Sequence, residues 1–126
     1  MRILLDTHIL LWWLADDPAL PPRAATAIAE ADTEVMVSAA SAWEISIKKV
    51  AGRLEAPDDL LNALAANDFG TVAITADHAV TAGRLPPHHS DPFDRMLIAQ
   101  SRTEGLTLLS VDGRFSDYEV DLLPLG

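Results

Sequence analysis

Arg2-Ile3-Leu4-Leu5-Asp6-Thr7-His8-Ile9-Leu10-Leu11 decides how this chain is read. An apolar run of strand length stops at a carboxylate, and a second apolar run of helical character follows. Three more acids occupy similar junctions. Glu44 lies in Ser41-Ala42-Trp43-Glu44-Ile45, Asp94 in Asp91-Pro92-Phe93-Asp94-Arg95, and Asp112 in Leu109-Ser110-Val111-Asp112. Each stands where a strand is ending or a helix is starting. Strands alternating with helices predict right-handed crossovers and one mainly parallel sheet. Open sheets of that kind bind ligands outside the carboxyl ends of their strands. All four carboxylates are therefore expected on one rim.

Outward from the first strand, at residues 2–5, a helix is expected over 9–15. Pro21 and Pro22 can open a second helix, 23–31, because proline suits a first turn. Residues 34–37 form a second strand, and Ser38 caps a long helix to Val50 that Gly52 stops. Trp43, Ile47, Val50 and Leu54 repeat at helical spacing and mark its core face. Pro57 opens a helix to about Asn67, in which residues 60–66 read as a core stripe. A third strand over 71–74 leads to a helix from Thr75 to Gly83, then to a stiff loop at 85–90. Asp91 caps, and Pro92 begins, a helix to Glu104 that Gly105 closes. Residues 106–109 make a fourth strand and 120–123 a fifth, at an edge. The expected fold is a three-layer α/β/α sandwich around a mainly parallel, four- to five-stranded sheet.

Composition bounds the function. With 126 residues, 49% of them apolar, the chain suits a single domain over residues 1–126 with a substantial core. No apolar run reaches the roughly 18 residues of a membrane span. The run at 9–14 is short and follows an acid, unlike a secretory leader. The lack of cysteine excludes disulfide frameworks and thiolate metal sites and fits a reducing cytoplasm, the expected compartment. A net charge of −10 argues against tight non-specific nucleic-acid binding and suits a basic protein partner. Bases gather locally at Lys48, Lys49 and Arg53, and at Arg84, Arg95, Arg102 and Arg114.

Clustered carboxylates repel one another, a pair at 4 Å by roughly 4 kcal/mol at an effective dielectric of 20. They need a counter-cation or a proton, and hard divalent ions such as Mg²⁺ or Mn²⁺ prefer such oxygen ligands. Each acid also has a bland reading. Asp6 can cap the helix after it, Glu44 can pair with Lys48 at i,i+4, Asp94 suits a first turn, and Asp112-Gly113 is a good turn. Against this, Glu44 sits between Trp43 and Ile45, where an unpaired carboxylate is costly. Trp12 and Trp13 read as core or subunit interface; His88-His89 suggests a metal pair, but adjacent side chains diverge, and the segment reads as a loop beside the rim. A phosphoreceiver domain needs an acceptor Asp ending its third strand, where Ile74-Thr75 stands here. A haloacid-dehalogenase-type phosphatase needs a second Asp where His8 stands. No glycine-rich phosphate cradle or dinucleotide fingerprint is present.

The segments around Asp6, residues 38–45 and residues 91–100 resemble the PIN-domain proteins of the VapC toxin type, in that order along the chain. The resemblance runs from Met1 to about Leu123. It implies a Mg²⁺- or Mn²⁺-dependent ribonuclease that is the toxin of a type II toxin–antitoxin pair. The metal-binding acids would be Asp6, Glu44, Asp94 and Asp112, with Asp117 competing for the fourth place. Thr7 and Ser41 would support the site by hydrogen bonds, and Arg95 would position a phosphate oxygen or form a salt bridge. The family often has threonine where Ser110 stands, which keeps the hydroxyl. The implied partners are RNA, an antitoxin with a basic tail and a second copy of the chain. The rival reading is a catalytically silent PIN-fold module that only binds a partner protein.

Overall fold

The computed structural model describes residues 1–126, and its sheet grows from the opening segment. Strand β1 (Arg2–Leu5) buries Ile3, Leu4 and Leu5 completely, as a central strand covered on both faces must. It pairs in parallel with β2 (Glu34–Ser38) on one side and with β4 (Thr107–Leu109) on the other. Strand β3 (Gly70–Val72) continues from β2, so the order is β3-β2-β1-β4, all parallel.

Period-two alternation divides the apolar residues between two cores. Ile3, Leu5, Val35, Val37 and Leu109 face a cluster with Ile9 and Leu10 of α1 (Thr7–Leu14) and Ala24, Ala27 and Ile28 of α2 (Pro22–Ala29). Leu64 of α4 (Leu60–Ala66) and Ile45 of α3 (Ala39–Val50) complete that layer. Leu4 and Leu108 face the other way, against Leu97 and Ile98 of α6 (Pro92–Glu104), Leu85, Phe115 and Tyr118. Helix α5 (Ala76–Arg84) lies on the same side, joined to α6 by the buried His78, whose Nε2 is 2.8 Å from Glu104 Oε1. The three layers are those expected. No helix is long and apolar enough to cross a membrane.

Several boundaries move for local reasons. Helix α1 starts at Thr7 rather than residue 9, directly after the extended Asp6. Asp59, rather than Pro57, starts α4 by accepting the Asn62 amide at 3.0 Å. Strand β3 comes one residue early and is shorter. Gly70 lies against Met36 Sδ so closely that a Cβ there would sit 2.8 Å away. The fifth strand reduces to one parallel bridge, Leu108 to Leu122, beside β4. A 3₁₀ turn over Gly113–Asp117 has no counterpart in the sequence reading. Gly105, at φ 66°, closes α6 as expected.

The core face assigned to α3 is wrong. Trp43, Ile47 and Val50 are 61%, 46% and 91% exposed, and of that stripe only Leu54 packs on the core. The buried face is Ala40, Ser41, Glu44 and Ile45. Helical spacing finds a stripe, but it does not say which stripe turns inward. Here a small and polar stripe does, and it carries a carboxylate to the sheet's edge.

Candidate active site

The chain order reverses between β1 and β4, so a crevice opens where their carboxyl ends meet. Leu5 and Leu109 are register partners there, and the Asp6 amide donates to the Leu109 carbonyl at 2.9 Å. Asp6 is thus fixed at the switch point. Its side chain makes no capping hydrogen bond, although it occupies the cap position of α1. The Ser110 hydroxyl donates to Asp6 Oδ2 instead, while Ser110 Oγ accepts the Asp112 amide at 3.0 Å. One side chain so ties the end of β1 to the loop after β4.

Glu44 reaches the same rim from the first half of α3 and is buried. The Thr7 hydroxyl donates to its Oε1 at 2.7 Å and lies 3.1 Å from Ser41 Oγ. Lys48 Nζ is 2.6 Å from its Oε2. Of the two expected supporting hydroxyls, Thr7 thus touches Glu44 directly and Ser41 touches only Thr7. The i,i+4 pair with Lys48 is also real, as part of that buried network and not as an exposed ion pair.

Asp91 takes the capping task at α6: its Oδ1 accepts the amides of Phe93 at 2.8 Å and Asp94 at 3.1 Å. That frees the Asp94 carboxylate, whose Oδ2 lies 2.6 Å from His89 Nε2. One ligand atom each from His89, Asp94 and Asp112 lie within 4.8 Å of one another. Asp112 therefore stands beside Asp94. Asp117 is exposed and borders a shallow hollow with Pro86, His88 and Arg102.

Charge couples these groups. Burial pushes the Asp6 carboxyl above its ordinary 3.8, and the Glu44 charge pushes it further, against the Ser110 hydrogen bond. Burial, then the Asp6 charge, raises Asp94 to about 6, partly offset by the His89 hydrogen bond. Asp112 goes the other way, to about 2, because Arg114 binds it through both carboxylate oxygens. The rim thus holds two acids paired with a cation, Asp112 with Arg114 and Glu44 with Lys48, and two buried carboxyls, Asp6 and Asp94, whose cost of ionising is raised by a neighbour's negative charge. Carboxylates with that excess charge fit a hard divalent cation, and His89 places one nitrogen beside them.

Arg95 does not form the salt bridge that was one of its two expected roles. Its guanidinium donates to the backbone carbonyls of Ala82, Leu85, Pro86 and His89 at 2.8–3.1 Å and is in no salt bridge. A planar fork with that many carbonyl acceptors on its two terminal nitrogens clamps the 85–89 loop, and only its Nε–H is left without a partner. Trp12 and Trp13 pack on the first core, as expected of core residues, with Trp13 Nε1 donating to Asn67 Oδ1 at 3.0 Å.

With fold and rim in place, comparison with known proteins is decisive. Residues 3–121 match the PIN domain family. This chain belongs to that family. The PIN domain is 34% identical over 119 residues to ribonuclease VapC22 of Mycobacterium tuberculosis, a match covering 92% of this chain and 91% of the relative. Its fold is similar to that of VapBC2 from Rickettsia felis, solved bound to a DNA fragment from their promoter, with TM-score 0.72, 13% identity and 98% of each chain covered. A toxin–antitoxin complex from Klebsiella pneumoniae gives TM-score 0.69 at 17% identity, again over 98% of each chain.

The residue that sequence reading missed in this PIN domain is His89. It lies in the loop beside the rim, as expected, but its side chain is buried against Asp94, a role the sequence does not suggest. Adjacent His88 and His89 diverge, so nothing in the local pattern marks one as inward. Only the distance to Asp94, five positions later, could have raised it.

Proposed function

We propose that this PIN domain is a divalent-metal-dependent endonuclease that hydrolyses RNA phosphodiester bonds, as the toxin of a type II toxin–antitoxin pair. The observation that carries the reading is the coupled burial of Asp6, Glu44 and Asp94 at the sheet's switch point. Asp6 and Asp94 are both pushed up by a neighbour's charge. The likeness to a ribonuclease VapC22 supports RNA as the substrate.

Asp6, Glu44, Asp94 and Asp112 would hold Mg²⁺ or Mn²⁺. When bound, such an ion supplies Lewis-acid activation of water and neutralises charge on the scissile phosphate. The chain's own side chains do the rest. Ser110 holds Asp6 in register with the loop of Asp112, and Thr7, with Lys48, holds Glu44. Asp112 and Arg114 form an exposed ion pair at the margin, where an incoming phosphate meets a cation.

The solved complexes of similar fold include toxin–antitoxin pairs, which supports a protein partner. The net charge of −10 suits one with a basic tail, whose Arg or Lys would neutralise the rim as a metal does. A homodimer through the exposed stripe of Trp43, Ile47 and Val50 belongs to the same proposal, and light scattering on the free protein checks it. One feature favours the silent binding module: Lys48 on Glu44 and Arg114 on Asp112 already neutralise two of the four acids. Cleavage of labelled RNA separates the two readings. Activity is expected with Mg²⁺ or Mn²⁺, none with EDTA, and none in a folded Asp6→Asn protein. Full activity in EDTA or in Asp6→Asn removes the metal reading, and no cleavage under any condition leaves the binding module.

A further inference from the structure

His89 is held more firmly than a loop residue requires. Its side chain is 2% exposed, its ring meets Phe115 edge-on at a centroid distance of 6.3 Å, and its amide donates to Tyr118 Oη at 2.8 Å. The same Tyr118 hydroxyl donates to the Pro86 carbonyl at 2.6 Å, and Arg95 clamps the carbonyls of Pro86 and His89 from the other side. Two chain segments outside the loop thus set where the imidazole stands.

The backbone at the start of α6 sets which nitrogen carries its proton. The Asp91 amide points at Nδ1 across 3.4 Å, so Nδ1 is the acceptor and the proton sits on Nε2. Nε2–H then donates to Asp94 Oδ2 at 2.6 Å. Asp94 makes no other side-chain hydrogen bond within the protein, so Oδ1 is left free and aimed by the pinned Oδ2. Ser110 treats Asp6 in the same manner, with a neutral donor on one carboxylate oxygen. A neutral donor fixes a carboxylate without cancelling its charge, whereas a lysine or arginine would cancel it.

We propose that His89 is a positioning residue for the metal site: it holds Asp94 in the rotamer that presents Oδ1 to a divalent ion and does not itself bind that ion. The proposal rests on the metal-binding reading above. Outer partners of this kind typically contribute roughly 10–100-fold to metal affinity.

Mn²⁺ binding to RNA-free protein, followed by electron paramagnetic resonance, tests this, with melting in EDTA as the check of folding. His89→Leu keeps comparable bulk without a donor and is expected to weaken Mn²⁺ roughly 10–100-fold. His89→Gln returns an N–H near the place of Nε2 and is expected to restore most of that loss. Tyr118→Phe loosens the loop without touching Asp94 and is expected to give a smaller loss; it decides the matter if the leucine variant does not fold. Electron spin-echo modulation of wild-type Mn²⁺ is expected to show no directly bound ¹⁴N. Unchanged affinity in folded His89→Leu, or in Tyr118→Phe when the leucine variant is unfolded, overturns the proposal and leaves the metal site standing. A directly bound imidazole nitrogen makes His89 a ligand and overturns it too. A wild-type protein that binds no Mn²⁺ removes the metal reading and the proposal together.

Discussion

Asp94 is where a bland and a functional role were hardest to separate, and the side chains around it separate them. Asp91 caps α6, so Asp94 is not needed as a cap. Replacing it by asparagine removes one of several clustered charges and relieves repulsion. Metal-free Asp94→Asn is therefore expected to melt no lower than wild type near neutral pH, and to have lost RNA cleavage. A lowered melting temperature with full turnover would reduce Asp94 to a helix-start residue. The raised carboxyl also has a pH signature. Its folded value of about 6 lies above the ordinary 3.8, so between those values the folded state holds a proton that the unfolded state has released. The stabilisation is complete below about pH 4, is lost as pH rises through about 6, and is bounded by about 3 kcal/mol from roughly 1.4 kcal/mol per unit. Buried Asp6 shifts in the same direction and Asp112 in the opposite one, at lower pH. Denaturant melts in EDTA are expected to show wild type weaker at pH 7.5 than at pH 5, with a smaller difference in Asp94→Asn. A wild-type stability that climbs steadily over that interval contradicts the shift.

The elements differ in how legible they were. Helix α6 could be read almost to the residue, because Asp91, Pro92 and Gly105 each act through a local rule of cap, first turn and stop. Helix α3 was placed correctly but turned the wrong way. Its inward stripe is polar because it serves the rim, which no local rule reveals. Val50→Lys is accordingly expected to change stability by less than about 0.5 kcal/mol, and Ile45→Ala to cost about 2–5 kcal/mol. Chemical denaturation of the two variants checks the assignment, and the reverse ranking would restore the original face. The 85–89 loop looked like stiff, proline-rich chain; its real anchor is Arg95, across the start of α6. Arg95→Ala leaves several buried or half-buried carbonyls without a donor and is expected to cost roughly 2–3 kcal/mol. Arg95→Lys, a single ammonium without the planar fork, is expected to recover little of it. Recovery of full stability by lysine would mean the charge mattered and the fork did not.

For the molecule as a whole, the alternation of strand and helix was enough to predict the layers, and the layers were enough to put the acids on one rim. Glu44 was visible because a carboxylate amid apolar residues is costly, and Asp6 and Asp94 only because the alternation puts them on the same rim. Asp112 was preferred with Asp117 in competition, because only the 3₁₀ turn after β4 turns one toward His89 and Asp94 and the other away. His89 was hidden for the same reason: its placement depends on Tyr118 and Arg95, long-range partners that no spacing rule reports. What the sheet supplies is the switch point, and what the loops supply is the aim of each carboxylate. The measurement that reaches both is a crystal of the protein soaked in Mn²⁺, read by anomalous scattering at the manganese edge. The expected result is a peak at the carboxyl ends of β1 and β4, about 2.0–2.6 Å from oxygens of both Asp6 and Asp94, as hard-cation ligation requires. A protein that cuts RNA in Mn²⁺ while those carboxylates stay bare, or with the peak elsewhere, would contradict the site.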